Sequence, residues 1–414
     1  MSEAARSTSA PEWRGTALVV LVAVFVFNLI GRGSGETYAV FLLPLDREFG
    51  WSRSQLTSVY SLYLIVGGFL APFVGTLFDR VGPRAVYTAG LACLAVAYVL
   101  ASSLATLWQF YLYVGVLIGV GVALVGMVPA SGLLTRWYHT RLSAAIGIAF
   151  SAGGCGTLLF VPLAQALLPF LEWRGTYRAF GFVLLALVPL AALALPWRAL
   201  ASGHPEHHRR SRERAAGEGW TLRGALRTRM YWGLAATFFF TATGMFTVTP
   251  QAVVYLIETG FAPVAAATAY GVTGMLSVAS LATVGFLAAR FGYRRTVTAS
   301  FIGSGTGMLA LAALSFAPVW GLLVAFVVPF GLCQGVRGPI IAAICTQRFA
   351  GPRVATIYGT VYATNSIGAA FGSLMGGVLY DATGGYLAGF AFAIGAIILA
   401  ATPIWVVREL REFR

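Results

Sequence analysis

The sequence predicts an all-α polytopic membrane protein of twelve transmembrane helices, built as two six-helix repeats. Three observations carry this reading. Of 414 residues, 58% are hydrophobic and only 10% are charged, whereas a soluble domain carries about 25% charged residues to cover its surface. Apolar segments of spanning length, roughly 20 residues, recur along the whole chain. The second half repeats landmarks of the first at a constant offset of 210 residues.

In chain order, residues 1–15 are polar and contain Glu3 and Glu12, with no cleavage signature after the next apolar run, so they read as a cytoplasmic tail. Six apolar segments follow, at 16–45, 54–78, 85–104, 108–135, 142–170 and 175–197, forming an N-terminal bundle over 16–197. Residues 198–230 are the longest polar stretch and read as a cytoplasmic linker. Six more segments, at 231–257, 264–289, 296–316, 319–347, 354–380 and 386–407, form a C-terminal bundle over 231–407, and 408–414 is a second cytoplasmic tail. The repeat rests on Gly75, Arg80, Gly82, Arg84 and Pro129, which recur as Gly285, Arg290, Gly292, Arg294 and Pro339.

All 28 basic residues are arginine. Without lysine there is neither a P-loop nor a Schiff base. With both termini inside, 22 arginines fall on the inner side and 4 on the outer, which places the termini in the cytoplasm and the chain in the cell's inner (plasma) membrane. The net charge of +14 thus reports topology, and nucleic acid is not a partner. Cys93, Cys155, Cys333 and Cys345 lie apart within apolar stretches and suit packing. His204, His207 and His208 cluster in the linker and His139 stands alone; no metal site or cofactor is expected.

Gly75, Asp79, Arg80, Gly82 and Arg84 spell G-x-x-x-D-R-x-G-x-R between the second and third segments. This resembles the signature of the major facilitator superfamily. Within it, the run from Phe41 through Pro44, Asp46 and Trp51 to Arg53, together with Glu172-Trp173-Arg174 and Tyr380-Asp381, is similar to bacterial monocarboxylate porters and oxalate/formate exchangers. The resemblance covers the whole chain. It implies the major facilitator fold and alternating access by two rocking halves, with segments 1, 4, 7 and 10 lining the cavity. The cation that carboxylate-handling relatives carry in the eighth helix is missing from 264–289, which holds no side chain charged at neutral pH, and the eleventh segment also lacks one.

Charges within a bilayer are candidates for function. Arg32 and Glu36 stand i,i+4 in the first segment, among Gly31, Gly33 and Gly35, which are expected to weaken the helix and let a ligand approach its backbone. Either they neutralise one another structurally, or Arg32 binds an anion with Glu36 as resting partner or proton carrier. Arg337 in the tenth segment has Met127 as its repeat counterpart. It is expected either to face Arg32 across the cavity and share a carboxylate, or to bond carbonyls freed near Pro339. Asn28, Tyr113, Gln251 and Gln334 would orient a substrate, as would Tyr358, Tyr362 and Asn365, which share one helix face. Asp79, Arg80 and Arg84 are expected to gate the cytoplasmic side, with Asp79 pairing with an arginine of a neighbouring helix only when that side is closed.

The resulting expectation is a monomeric secondary active transporter of a small organic anion, a mono- or dicarboxylate, coupled to a proton or a counter-anion. An efflux pump for amphipathic drug-like compounds is the alternative, and a non-transporting receptor or intramembrane enzyme a third. No nucleophile–base or paired-acid constellation within the segments supports an enzyme.

Overall fold

The computed structural model describes residues 10–138, 142–202, 220–349 and 354–411. Among these residues every regular element is helical. Nine helical stretches are long and apolar enough to cross a membrane. Two are double length: Arg53–Ala101 loses helical geometry at Gly82, and Leu142–Ala194 does so at Glu172. Both fold back there. Leu62 packs on Gly115 while Leu94 packs on Gly121, one and a half turns further along the same helix; in a straight helix Leu62 and Leu94 would lie about 48 Å apart. Phe160 and Phe180, likewise on opposite sides of Glu172, pack with ring centroids 5.6 Å apart.

With these breaks and the 30-residue helix Val354–Thr383, the twelve spans are complete. Helix 1 comprises Ala10–Glu36 and Tyr38–Phe49. Helices 2 and 3 are the arms of Arg53–Ala101. Helix 4 runs from Leu107 through a π-helical stretch, Tyr111–Ile118, and a break at Gly126 to Trp137. Helices 5 and 6 are the arms of Leu142–Ala194. Helix 7 comprises Arg229–Val248, Thr249–Gln251 and Ala252–Glu258; helix 8 is Pro263–Phe291 and helix 9 is Tyr293–Ala313. Helix 10 comprises Trp320–Gln334 and Arg337–Arg348, helix 11 is Val354–Thr383, and helix 12 is Leu387–Val406. The linker begins and ends in short helices, Trp197–Ser202 and Leu222–Ala225. The histidines and the centre of the linker lie outside the described residues.

The duplication reaches backbone geometry. Positive φ occurs at Gly50, Gly82, Glu172, Gly260, Gly292 and Gly384. Gly50 pairs with Gly260 and Gly82 with Gly292 at the 210-residue offset, and Glu172 falls two residues from that register with Gly384. Gly82 and Gly292 both have φ 82°, with ψ 169° and 153°, a region essentially restricted to glycine. The turn of the signature motif is therefore built twice. The breaks in helices 4 and 10 also correspond, since Met127 and Arg337 each open the second piece.

The halves meet along helices 2 and 11 and along helices 5 and 8. Ser61 donates to the Ala370 carbonyl (2.7 Å) and Ser373 to that of Thr57 (3.0 Å). Gly154 abuts Gly274, and Gly271 abuts Leu158, so small residues bring the backbones of helices 5 and 8 together.

The end opposite the termini is tied across the halves by Arg53, whose side chain is buried. Its Nη2 lies 3.1 Å from Asp46 of helix 1 and 2.7 Å from Glu258 of helix 7. Its guanidinium stands 5.1 Å from the ring centroid of Tyr380, and Tyr386 donates to Glu258 (2.6 Å). Asp381 accepts from the backbone N–H of Arg53 (2.9 Å) and Ser54 (2.8 Å), capping helix 2 from the other half. The motif fragments 41–53 and 380–381, far apart in sequence, thus form one lock. Glu48 adds a second tie within the N-terminal half, accepting from Trp173 and Arg174.

The terminal end differs. Asp79 pairs with Arg136 of helix 4 at 3.2 Å, within the same half. Among the described residues no ion pair joins the halves at this end. Asp79 thus pairs with an arginine of a neighbouring helix while the opposite end is locked. Arg80 and Arg84 are exposed and form no ion pair among the described residues.

Candidate functional site

Helix 1 positions the central charges, and its glycines set how closely it is approached. A side chain at Gly31 would collide with Val125 of helix 4, one at Gly33 with Phe160 of helix 5, and one at Gly35 with the hydroxyl of Tyr63. These glycines receive protein side chains, not a ligand, which corrects the sequence reading. The packing clamps Arg32 and Glu36 in place.

Arg32 Nη2 lies 2.8 Å from Glu36 Oε1. The two ends of the pair differ sharply: Glu36 is 3% exposed, whereas 41% of the Arg32 side chain is open although it lies deep in the bundle. That is the environment of a group lining an internal cavity. Glu36 Oε2 accepts a 2.6 Å hydrogen bond from the hydroxyl of Tyr270 on helix 8, so the carboxylate ties the two halves midway through the membrane. Tyr270 went unnoticed in the sequence because a phenol carries no charge at neutral pH and makes no i,i+4 pattern. It stands in the helix whose missing cation had been noted.

Tyr362 is 42% exposed. Its ring packs 6.1 Å from that of Tyr358, on the face they share with the half-buried Asn365. This cluster thus belongs to the half opposite Arg32. The other orienting candidates are less central. Asn28 turns back to the Val24 carbonyl (2.9 Å). Tyr113 sits in the π-helical stretch of helix 4, packed against the core. Gln251 is buried beside Gly376 and lines a small cavity with Thr247, Tyr255 and Tyr386 toward the locked end. Gln334 is half-buried at the last position before the helix 10 break.

Arg337 does not meet Arg32. Its side chain is 1% exposed. Nη2 bonds Ser304 Oγ on helix 9 (2.6 Å) and the Cys333 carbonyl (3.2 Å), and the guanidinium stands 5.0 Å from the Phe301 ring centroid. The expectation of two arginines facing one cavity is corrected. Tertiary contacts of helix 9, which carry no sequence signal, draw Arg337 away. Its bond to Cys333 follows the alternative reading of carbonyls freed at the helix break.

One exposed guanidinium, one buried carboxylate and a cross-half phenol together offer a place for a single anionic group. Among the described residues no group of His, Cys, Asp and Glu is arranged to hold a metal.

Comparison with known proteins agrees with this architecture. The family model described as Major Facilitator Superfamily matches residues 17–283 and 276–412. Human Monocarboxylate transporter 11 is 28% identical over 404 residues, covering 95% of this chain and 83% of that protein. Monocarboxylate transporter 13 of Rattus norvegicus is 27% identical over 402 residues, covering 96% and 90%. Monocarboxylate transporter 3 of the same species is 27% identical over 414 residues, covering 96% and 82%. With twelve duplicated helices, a glycine-built signature turn used twice and a family match along nearly its full length, the chain belongs to the major facilitator superfamily of membrane transporters.

Proposed function

We propose that this transporter moves a small monocarboxylate together with a proton, binding the carboxylate at Arg32 between two bundles, 16–197 and 231–407. The observation that carries the reading is the asymmetry of the central ion pair: Glu36 is buried, while the guanidinium of Arg32 is open to the cavity with donors to spare. An arriving carboxylate competes with Glu36 for the guanidinium. Removing one partner from a buried charge costs about 3–5 kcal/mol, and Glu36 avoids that cost by taking a proton. Substrate and proton then cross as a neutral pair.

A monocarboxylate is favoured over a dicarboxylate because Arg337, the second intramembrane cation, is turned toward helix 9. The names of the relatives point the same way. The arginine distribution orients the locked end outward and places both termini and the 198–230 linker in the cytoplasm of the cell's inner (plasma) membrane. On that orientation the conformation faces inward. One chain holds every element of the site, so the working unit is a monomer.

The test is uptake of radiolabelled lactate and pyruvate into proteoliposomes with and without an acidic exterior. The expected result is uptake accelerated by the inward proton gradient. In Glu36→Gln, pH acceleration should vanish while lactate exchange persists. In Tyr270→Phe, uptake should slow at least several-fold, because the cross-half bond to the carboxylate is lost. Uptake indifferent to pH in the unaltered protein would replace symport by anion exchange. Stabilisation by cationic lipophiles with no response to carboxylates would favour the drug-efflux reading.

A further inference from the structure

Arg337 is a lone cation in the interior of the C-terminal half, and nothing in the proposed transport site uses it. No carboxylate pairs with it among the described residues. Its Nε and Nη1 make no hydrogen bond, and only Nη2 is engaged, with Ser304, Cys333 and the sulfur of Met245 (3.7 Å). A buried ion without a counter-charge is strongly penalised, and one aromatic face and one hydroxyl offset only part of this.

Capping the broken helix does not explain the residue. The duplication supplies the control. Helix 4 breaks at Gly126, and its second piece opens with Met127 at the position of Arg337. The break therefore forms without a cation, and the arginine is an addition to one repeat.

Three features around Arg337 suit an anion. The 12-residue second piece of helix 10 begins at Arg337, so its N-terminal dipole adds to the positive potential there. Apart from its chain neighbours and the helix's own backbone, nothing lies within 4 Å of where a side chain on Gly338 would begin, which leaves space at that turn. Ser304 is fully buried and accepts from Arg337, so its own O–H is available to donate.

We propose that Arg337 anchors a second anion site, separate from the Arg32 cavity and lying between helices 7, 9 and 10. It takes a compact monoanion through the two unengaged guanidinium edges and the Ser304 hydroxyl. Chloride and a small carboxylate such as formate share this chemistry.

The experiment is thermal unfolding of the purified full-length protein in sodium gluconate, titrated with sodium chloride or sodium formate at constant ionic strength. The expected result is a saturable rise in Tm with at least one of them; which saturates at lower concentration identifies the physiological class. Arg337→Met should fold and lose the response. Ser304→Ala should shift its midpoint about fivefold upward, the equivalent of one hydrogen bond of about 1 kcal/mol. Arg32→Gln should keep it, which separates this site from transport. No saturable response in the unaltered protein overturns the proposal, whether or not Arg337→Met folds. An undiminished response in Arg337→Met, or its loss in Arg32→Gln, also overturns it.

Discussion

Replacing Arg32 by glutamine should abolish carboxylate uptake while the protein still inserts and purifies as a monodisperse species. The Arg32 side chain is 41% exposed within the bundle, and its guanidinium already lies 2.8 Å from Glu36. Losing a desolvated charge contact costs about 2–5 kcal/mol, so binding should weaken by more than about tenfold at the lower limit. Lysine at this position should recover little. A point charge lacks the planar fork that holds a carboxylate through two parallel hydrogen bonds. The double change Arg32→Gln with Glu36→Gln separates two roles. If Arg32 only neutralises Glu36, the double variant transports; if Arg32 binds the substrate, it stays inactive. The account expects inactivity, read as initial uptake rate in proteoliposomes.

The second large effect concerns the lock at the end opposite the termini. The bonds of Asp381 to the N-terminus of helix 2, and of Glu258 to Arg53, exist only while the halves are together there. A charge-assisted cap and a charged side-chain bond are worth about 1–3 kcal/mol each. Losing either stabilises the outward-open state relative to this one by a factor of roughly 5 to 150. Spin labels at Ser103 and Phe316, exposed in loops at that end of opposite halves, should report a longer distance population in Asp381→Asn. Arg53→Met should give the same shift and also leave Asp46 and Glu258 unpaired. Unchanged distance distributions in both would show that these bonds do not set the gate.

The fold was legible because lipid imposes it. Spans of about 20 apolar residues have no other use in a chain with so few charges, and the duplicated glycines marked the turns. The fold-back at Glu172 was hidden as a backbone feature, because a non-glycine residue adopts φ 55° there. The Arg32–Glu36 pair was legible since i,i+4 spacing on a helix settles adjacency. Tyr270 was not, because its role depends on a neighbour 234 positions away. Arg337 was placed wrongly for the same reason. Helical phase gives a residue's own face, but its direction was decided by Ser304 and Phe301 on helix 9. The outer lock lay in plain view as motif fragments whose partnership only the fold reveals.

The central claim is that a carboxylate binds at Arg32, in the space Tyr362 shares from the other half. It is tested most directly by substrate protection of a cysteine at Tyr362, in a chain whose four native cysteines are replaced by alanine. The account predicts that a thiol reagent labels this cysteine, that lactate slows labelling in a saturable way, and that Arg32→Gln removes the protection while labelling persists. Labelling unaffected by lactate or any other monocarboxylate, or protection that survives Arg32→Gln, would contradict it.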